Sequence, residues 1–506
     1  MKIMWKKKET SAHDNHKQIM GLGFILNLLL LLCAYGILYR GTFNGDTLDA
    51  MTYPDVQAKV FLGSGRYLFA LIWEIAYKAG INMGKTAGIN VFLTIFLMAA
   101  SAAVITAAYF KVRYKEEAWR AEKFLMADSV ILLAFLNLLS LELLFFSAYA
   151  LMPGVACILI AAALFAFAGR RYLLCGISLV LSVMVYQSYI GMFIVFALLF
   201  LFIEHQGKLN KSSFWKSAVV VAGAGGSCLL NIYSTKVLAG WGIIGGAAKQ
   251  IETVGIGEIF ITILKTQASI LHDEYDLSMI SFLPFILLAA AGGYMAYGYI
   301  KGRKSFGEWV YLFLLVVVSN LCVFAVFFGG YLYVPPRVLV SYWSFISTMV
   351  LAALFVTDRQ KAKGVLLILV NVVTFLHVIN ANVIISDLYV SNRLDRHYVL
   401  SVEKCIREYE ESTGIKITAI GFGTDMHCEQ YWTEYVDFYK FNINERCVSA
   451  DWHFDMLLRD MTGRDYQKVP IPQSVYETYF EGRDWDYFHP AQQMIFVEDK
   501  LYLMIY

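Results

Sequence analysis

The stretch Ile19–Leu38, IMGLGFILNLLLLLCAYGIL, runs for twenty residues without a charge and follows the basic residues Lys6-Lys7-Lys8 and Lys17. A bilayer core of about 30 Å is crossed by roughly 20 apolar residues in a helix, so this stretch is long enough to span. No small-residue cleavage site follows it, and leucines rather than a small residue precede Cys33, so it reads as an uncleaved anchor. Runs of the same kind recur at Thr86–Phe110, Met126–Ser147, Pro153–Ala168, Tyr172–Tyr186, Tyr189–Ile203 and Ser217–Leu238. Four more lie at Met279–Ile300, Trp309–Gly329, Val338–Val356 and Val365–Ile385. The expectation is a polytopic α-helical membrane protein with about eleven transmembrane helices. The apolar run Arg66–Lys78 is too short to cross and carries Trp73 and Glu74, which predicts an interfacial helix.

Composition agrees with lipid as the solvent. The 506 residues are 58% hydrophobic and only 16% charged, against about 25% charge in soluble domains. A formal charge of +2 excludes a generally basic nucleic-acid binder, and eight prolines without biased repeats exclude collagen-like or disordered material. Basic residues cluster in alternate loops, among them Lys111–Lys123, Arg170-Arg171, Lys208–Lys216, Lys301–Lys304 and Arg359–Lys363. The positive-inside rule then predicts a cytoplasmic N-terminus and an extracytoplasmic C-terminal tail.

Two units are expected: a transmembrane domain over 1–386, with a large first outward loop at 39–85, and a small extracytoplasmic α/β domain over 387–506. In the tail, Glu403–Glu411 and Asp451–Met461 read as helices, the latter stopping at Gly463. Lys416–Ile420 alternates as a strand before Gly421 and Gly423, and Gln493–Tyr506 reads as two strands joined by Glu498-Asp499-Lys500. An oxidising compartment allows a bond between Cys428 and Cys447, with Cys405 left over.

The outward loop holds the densest chemistry. It contains Asn44-Gly45-Asp46, then Asp49, then Gly63-Ser64-Gly65-Arg66. An acidic residue just past a span sits where partial desolvation tunes it toward general-base work. Asp46 and Asp49 share a face if the segment is helical; equally, Asn44 can simply cap that helix. Arg66, and Arg337 after Pro335-Pro336, can clamp a phosphate or reach toward headgroups. Glu142 is costly within an apolar run unless it faces a polar cavity. Tyr186 and Gln187 in a short hairpin can bind a polar ligand or satisfy backbone. The acidic run Asp273–Asp276 reads as solvated surface. Asp484-Trp485-Asp486 has the form of a metal-dependent sugar-nucleotide motif, but the tail is too short for that catalytic domain. Asp425, His427, Cys428 and Glu429 show no recognisable metal-ligand spacing. No cofactor or resident metal is expected.

The long first outward loop with an acid soon after the first span resembles the C-type (GT-C) membrane glycosyltransferases. Asn44-Gly45-Asp46 with Gly65-Arg66 about twenty residues on, and Tyr186-Gln187 at an outward hairpin, resemble the bacterial glucosyltransferase II family more narrowly. That family usually carries paired aspartates where this chain has Gly45-Asp46, so only the second acid carries over. The resemblance implies a bacterial cytoplasmic-membrane enzyme that moves a single sugar, glucose in that family, from a polyprenyl-phosphate donor to a surface glycan such as an O-antigen, cell wall polysaccharide or teichoic acid. It implies Asp46 as base, with Asn44, Arg66, Tyr186 and Gln187 around the substrates; Asp49 in support of the base, and Arg337 and Glu142 beside the substrates, are added from their chemistry and their place near span ends. A small flippase that delivers the donor is a further expected partner. The rival readings are a transporter or lipid-sugar flippase, an oligosaccharide polymerase or ligase, and a sensor anchored by its spans. Transporters often show related halves with broken helices in matching places, and no such symmetry is visible here.

Overall fold

The computed structural model describes residues 12–115, 119–244, 255–272, 280, 282–329, 334–357, 359–424, 446–449, 453–483, 485 and 488–505. Among these, eight helical stretches are long and apolar enough to cross a membrane: Asn15–Arg40, Ala87–Tyr114, Ser147–Ala168, Gln187–Glu204, Lys211–Gly240, Leu283–Lys301, Phe306–Val323 and Gln360–Thr413. The chain is mostly helical, with one small sheet. The acidic run 273–276, Asp484, Asp486, the 425–429 group and Cys428 lie outside the described residues.

The helices run in chain order as α1 (Ala12–Tyr35), α2 (Gly45–Thr52), α3 (Gln57–Gly63), α4 (Tyr67–Lys78), α5 (Ala87–Tyr114), α6 (Ala121–Leu132) and α7 (Leu141–Phe145). They continue as α8 (Leu151–Ala168), α9 (Tyr172–Val183), α10 (Ile190–Glu204), α11 (Lys211–Gly240), α12 (Ile256–His272), α13 (Leu283–Lys301), α14 (Phe306–Val323), α15 (Tyr342–Val356), α16 (Gln360–Thr413) and α17 (Phe454–Thr462). Helix α10 is buried along nearly its whole length and packs against α8, α11, α14 and α15, so it is the centre of the bundle. Helix α4 has twelve residues, about 18 Å at 1.5 Å per residue, too short to cross.

Three of the expected spans are shorter than a crossing helix. The α9 and α15 helices have 12 and 15 residues. The run Met126–Ser147 breaks after Leu132, and the cause is Asn137. Its amide donates to the carbonyls of Leu133 and Ala134, both at 3.1 Å, and its Oδ1 accepts from the Ser140 N–H at 3.0 Å. From α1, the Tyr35 hydroxyl donates to the Asn137 carbonyl at 2.9 Å and lies 2.9 Å from the Asn137 N–H. Irregular backbone buried among apolar side chains persists only where its polar groups are satisfied within the protein. The break reorients the chain so that α7 starts with Glu142 near its N-terminus.

Helix α16 is a single rod of 54 residues, about 80 Å long, and it runs straight through the position between 386 and 387. The expected helix at Glu403–Glu411 is its last part; no Gly or Pro interrupts it between Gly364 and Gly414. Beyond it, β1 (Ala419–Thr424), β2 (Gln467–Val469), β3 (Met494–Val497) and β4 (Lys500–Ile505) form a sheet in the order β2-β1-β4-β3. Strand β1 is parallel to both neighbours, and β3–β4 is the expected hairpin around Glu498-Asp499. Strand β1 starts three residues later than Lys416 and takes in Gly421 and Gly423. Both are needed there: a Cβ on Gly421 would lie 2.7 Å from the Tyr502 ring, and one on Gly423 2.5 Å from the Met504 sulfur.

The sheet does not close its core alone. Phe43 and Leu48 of the first loop are buried with Val399, Val402 and Ile406 of α16, Phe454 and Leu457 of α17, and Leu501 and Leu503 of β4. Asn392 clamps the loop further: its Oδ1 accepts from the Phe43 N–H at 2.8 Å and its amide donates to the Phe43 carbonyl at 2.9 Å. The loop and the sheet therefore fold as one layer at one end of the bundle.

Candidate active site

Helix α2 is built by its cap. Asn44 is extended, and its Oδ1 accepts from the Thr47 N–H at 3.0 Å and the Thr47 hydroxyl at 2.9 Å. Its side-chain oxygen is thus committed to the helix start. The Thr47 hydroxyl also meets Ser147 at 3.3 Å, and Ser147 donates to the Thr42 carbonyl at 2.9 Å, which ties the loop to the beginning of α8. The cap places Asp46 in the first turn, half-buried. Burial raises its carboxyl above the ordinary value and the neighbouring Asp49 raises it further, while the guanidinium groups of Arg337 and Arg66 hold it down. Burial outweighs the cations, so the net direction is up.

Asp49 sits one turn on, as the three-residue spacing implied. Its Oδ2 accepts from the Gln57 amide at 2.5 Å, and Gln57 Oε1 accepts from the Tyr149 hydroxyl at 2.8 Å. Gln57 and Tyr149 were not singled out in the sequence, where nothing marks them, and they fix the orientation of Asp49.

Arg66 stands at the start of α4, and its approach requires Gly65. This glycine has φ +72°, and a Cβ there would lie 2.7 Å from Asn231 Oδ1. The Gly65 carbonyl accepts from the Asn231 amide at 2.7 Å. Gln187 donates to the Ser64 carbonyl at 3.2 Å and to Asn231 Oδ1 at 3.3 Å, so Gln187 braces the arginine's loop. The Arg66 guanidinium carbon lies 5.1 Å above the centre of the Tyr186 ring, within cation–π range. The Tyr186 hydroxyl donates to the Arg337 carbonyl at 3.1 Å. Tyr186 is therefore the partition between the two arginines.

Arg337 lies in a single turn, Pro336–Val338, stiffened by Pro336 and by Pro335 just before it. Its N–H donates to Glu142 Oε2 at 2.7 Å and its guanidinium pairs with Glu142 Oε1. The same guanidinium stands 5.1 Å over the Phe146 ring. Glu142 is fully buried, and the pairing answers the cost of placing it there.

The fold thus gathers residues 44, 46, 49, 66, 142, 186, 187 and 337 into one region. It consists of the half-buried Asp46 carboxylate of raised proton affinity, the oriented carboxylate of Asp49, the fully buried Glu142 paired with Arg337, and two arginines held on aromatic faces. Among the described residues no group of three or more His, Cys, Asp or Glu side chains stands ready for a metal ion.

A contribution from the tail was not visible in the sequence. His453, just before α17, is buried and packs onto Gly45, the residue before Asp46; a Cβ on Gly45 would overlap its imidazole. Burial pushes His453 down to about 4, so the ring is neutral at pH 7 and acts as a flat spacer. Gly45→Ala is expected to push α17 off α2 and to destabilise by about 1–3 kcal/mol, as overpacking does. Thermal unfolding of the detergent-solubilised protein measures this, and adding His453→Ala should restore part of the loss. Comparison with protein-family models, with curated proteins and with solved structures finds no match for this chain.

Proposed function

We propose that this chain is a membrane glycosyltransferase of the GT-C type that moves a single hexose, glucose by the family resemblance, from a polyprenyl-phosphate donor to a cell-surface glycan. In this reading the N-terminus is cytoplasmic, and the Asp46 region and the sheet face the extracytoplasmic side. The observation that carries it is the gathering of Asp46 and Asp49 on one short helix beside Arg66 and Arg337, which Tyr186 joins.

The chemistry balances with these groups alone. The acceptor hydroxyl attacks the anomeric carbon as its bond to the donor phosphate oxygen breaks, with inversion. Asp46 takes the hydroxyl proton, and the bond's electron pair leaves on polyprenyl phosphate. A phosphate leaving group needs little protonation, so the demand falls on a base and on cations that meet the growing phosphate charge. Arg66 and Arg337 supply that charge with planar, multi-donor groups. Glu142 keeps Arg337 aimed, Tyr186 stands between the two arginines, Gln187 braces the loop before Arg66, and Asp49 keeps a second negative charge beside the base.

Surface glycans of cells with and without the chain, compared by mass, test this. The expected result is the loss of single hexose additions. Unchanged glycans together with lost uptake of a solute or lipid-sugar would replace the reading with transport, and loss of long-chain polymer would replace it with a polymerase or ligase.

A further inference from the structure

A second polar centre lies at the other end of the bundle. Helix α5 begins near the first loop, where Gly88 abuts the Tyr39 carbonyl, and Lys111 lies 23 residues farther on, about 35 Å away at 1.5 Å per residue. There the ends of α5, α8 and α10 and the starts of α9 and α11 enclose a cavity of about 620 Å³. Its walls are apolar, with Phe167, Phe200 and Val219 among them, while Lys111, Lys115, Arg170 and Lys216 stand around it with one carboxylate, Glu204.

Charge at this mouth is not balanced by its described lining. Glu204 Oε1 meets Arg170 at 3.0 Å and Lys216 at 3.2 Å, so a single carboxylate serves two cations. Among the described residues no carboxylate pairs with Lys111 or Lys115. The Lys111 ammonium is seated 5.0 Å over the Phe165 ring, and a Cβ on Gly169 would lie 2.9 Å from it. A membrane protein needs basic residues in its cytoplasmic loops, but that need does not bring them to the mouth of one apolar cavity. Like charges brought together repel, and an anion between them relieves the repulsion. The lateral side is greasy: Leu173 of α9 is 79% exposed and Val219 of α11 68% exposed. The flank beside the opening is therefore apolar, as an acyl chain requires, and apolar walls do not hold an inorganic ion.

We propose that this cavity binds an anionic membrane lipid, with its phosphate headgroup among Lys111, Lys115, Arg170 and Lys216 and its proximal chain against the apolar walls. The proposal is independent of glycosyl transfer and concerns a site remote from Asp46.

Native mass spectrometry of the full chain, released from micelles containing phosphatidylglycerol or phosphatidylcholine, tests it. The wild type should retain phosphatidylglycerol and not the zwitterionic lipid. The variant Lys111→Gln/Arg170→Gln/Lys216→Gln should lower retention about tenfold or more, since each change removes a charge-assisted contact. Val219→Trp, at an exposed position that tolerates bulk, should also lower retention with every charge kept, whereas Lys111→Arg should keep it. Equal retention of both lipids, or full retention by the triple variant, overturns the proposal. Displacement of the lipid by millimolar inorganic phosphate overturns it too, because the cavity would then be a site for a soluble anion.

Discussion

Asp46→Asn is expected to lower sugar transfer by about 10²–10⁴-fold, the usual contribution of a positioned base, with little loss of folding. The amide keeps the shape of the carboxylate and can take no proton. Transfer from a polyprenyl-phosphate sugar in isolated membranes is the measurement, and unchanged turnover removes Asp46 as the base. The pH profile gives an independent check. Because burial raises the Asp46 carboxyl, the acid limb of kcat/KM should lie at higher pH than for an exposed carboxylate. Asp49→Asn removes a neighbouring negative charge and should move that limb down, whereas Arg66→Gln removes a cation and should move it up. The sign for stability is opposite to the usual carboxylate: folding favours protonated Asp46, so its contribution is present at low pH and declines as pH rises through the folded value.

The second large effect is on stability. Arg337→Ala leaves the fully buried Glu142 without its guanidinium partner, and breaking a buried pair in this way costs about 3–5 kcal/mol. Glu142→Gln should cost less, because the Arg337 side chain is 24% exposed and can turn to water. Replacing both, as Glu142→Leu/Arg337→Met, should recover much of the stability while transfer stays low, since one of the two cations proposed to meet the phosphate is gone. Unfolding in detergent, read beside activity, separates the two roles. Equal losses for the two single variants would mean that burial of Glu142 is not what the pair offsets.

Hydropathy was enough to find the eight long apolar helices and to set Arg66–Lys78 apart, because both depend on length and local composition. The break at Asn137 was hidden, since one Asn in an apolar run is ordinary and its effect depends on Tyr35 from another helix. Strand β1 was displaced because Gly421 and Gly423 look like terminators until Tyr502 and Met504 are seen to need their bare backbone. At the site, Asp46, Asp49, Arg66, Glu142 and Arg337 stood out because charges near spans are conspicuous. Tyr149, Asn231 and His453 did not, because their partners are far away in sequence: Asn231 meets Gly65 across 166 positions. Gln57 lies only eight residues from Asp49, but a lone Gln in a loop is ordinary.

The shared core of Phe43, Leu48 and α16 has a consequence for biosynthesis. Asn392, which clamps Phe43, leaves the ribosome 349 residues after it, roughly 20–70 s at 5–20 residues per second. For that interval the segment bearing Asp46 has no finished hydrophobic support. The geometry around Asp46 is therefore among the last parts to assemble, and a nascent chain stalled before Asn392 would leave it unformed.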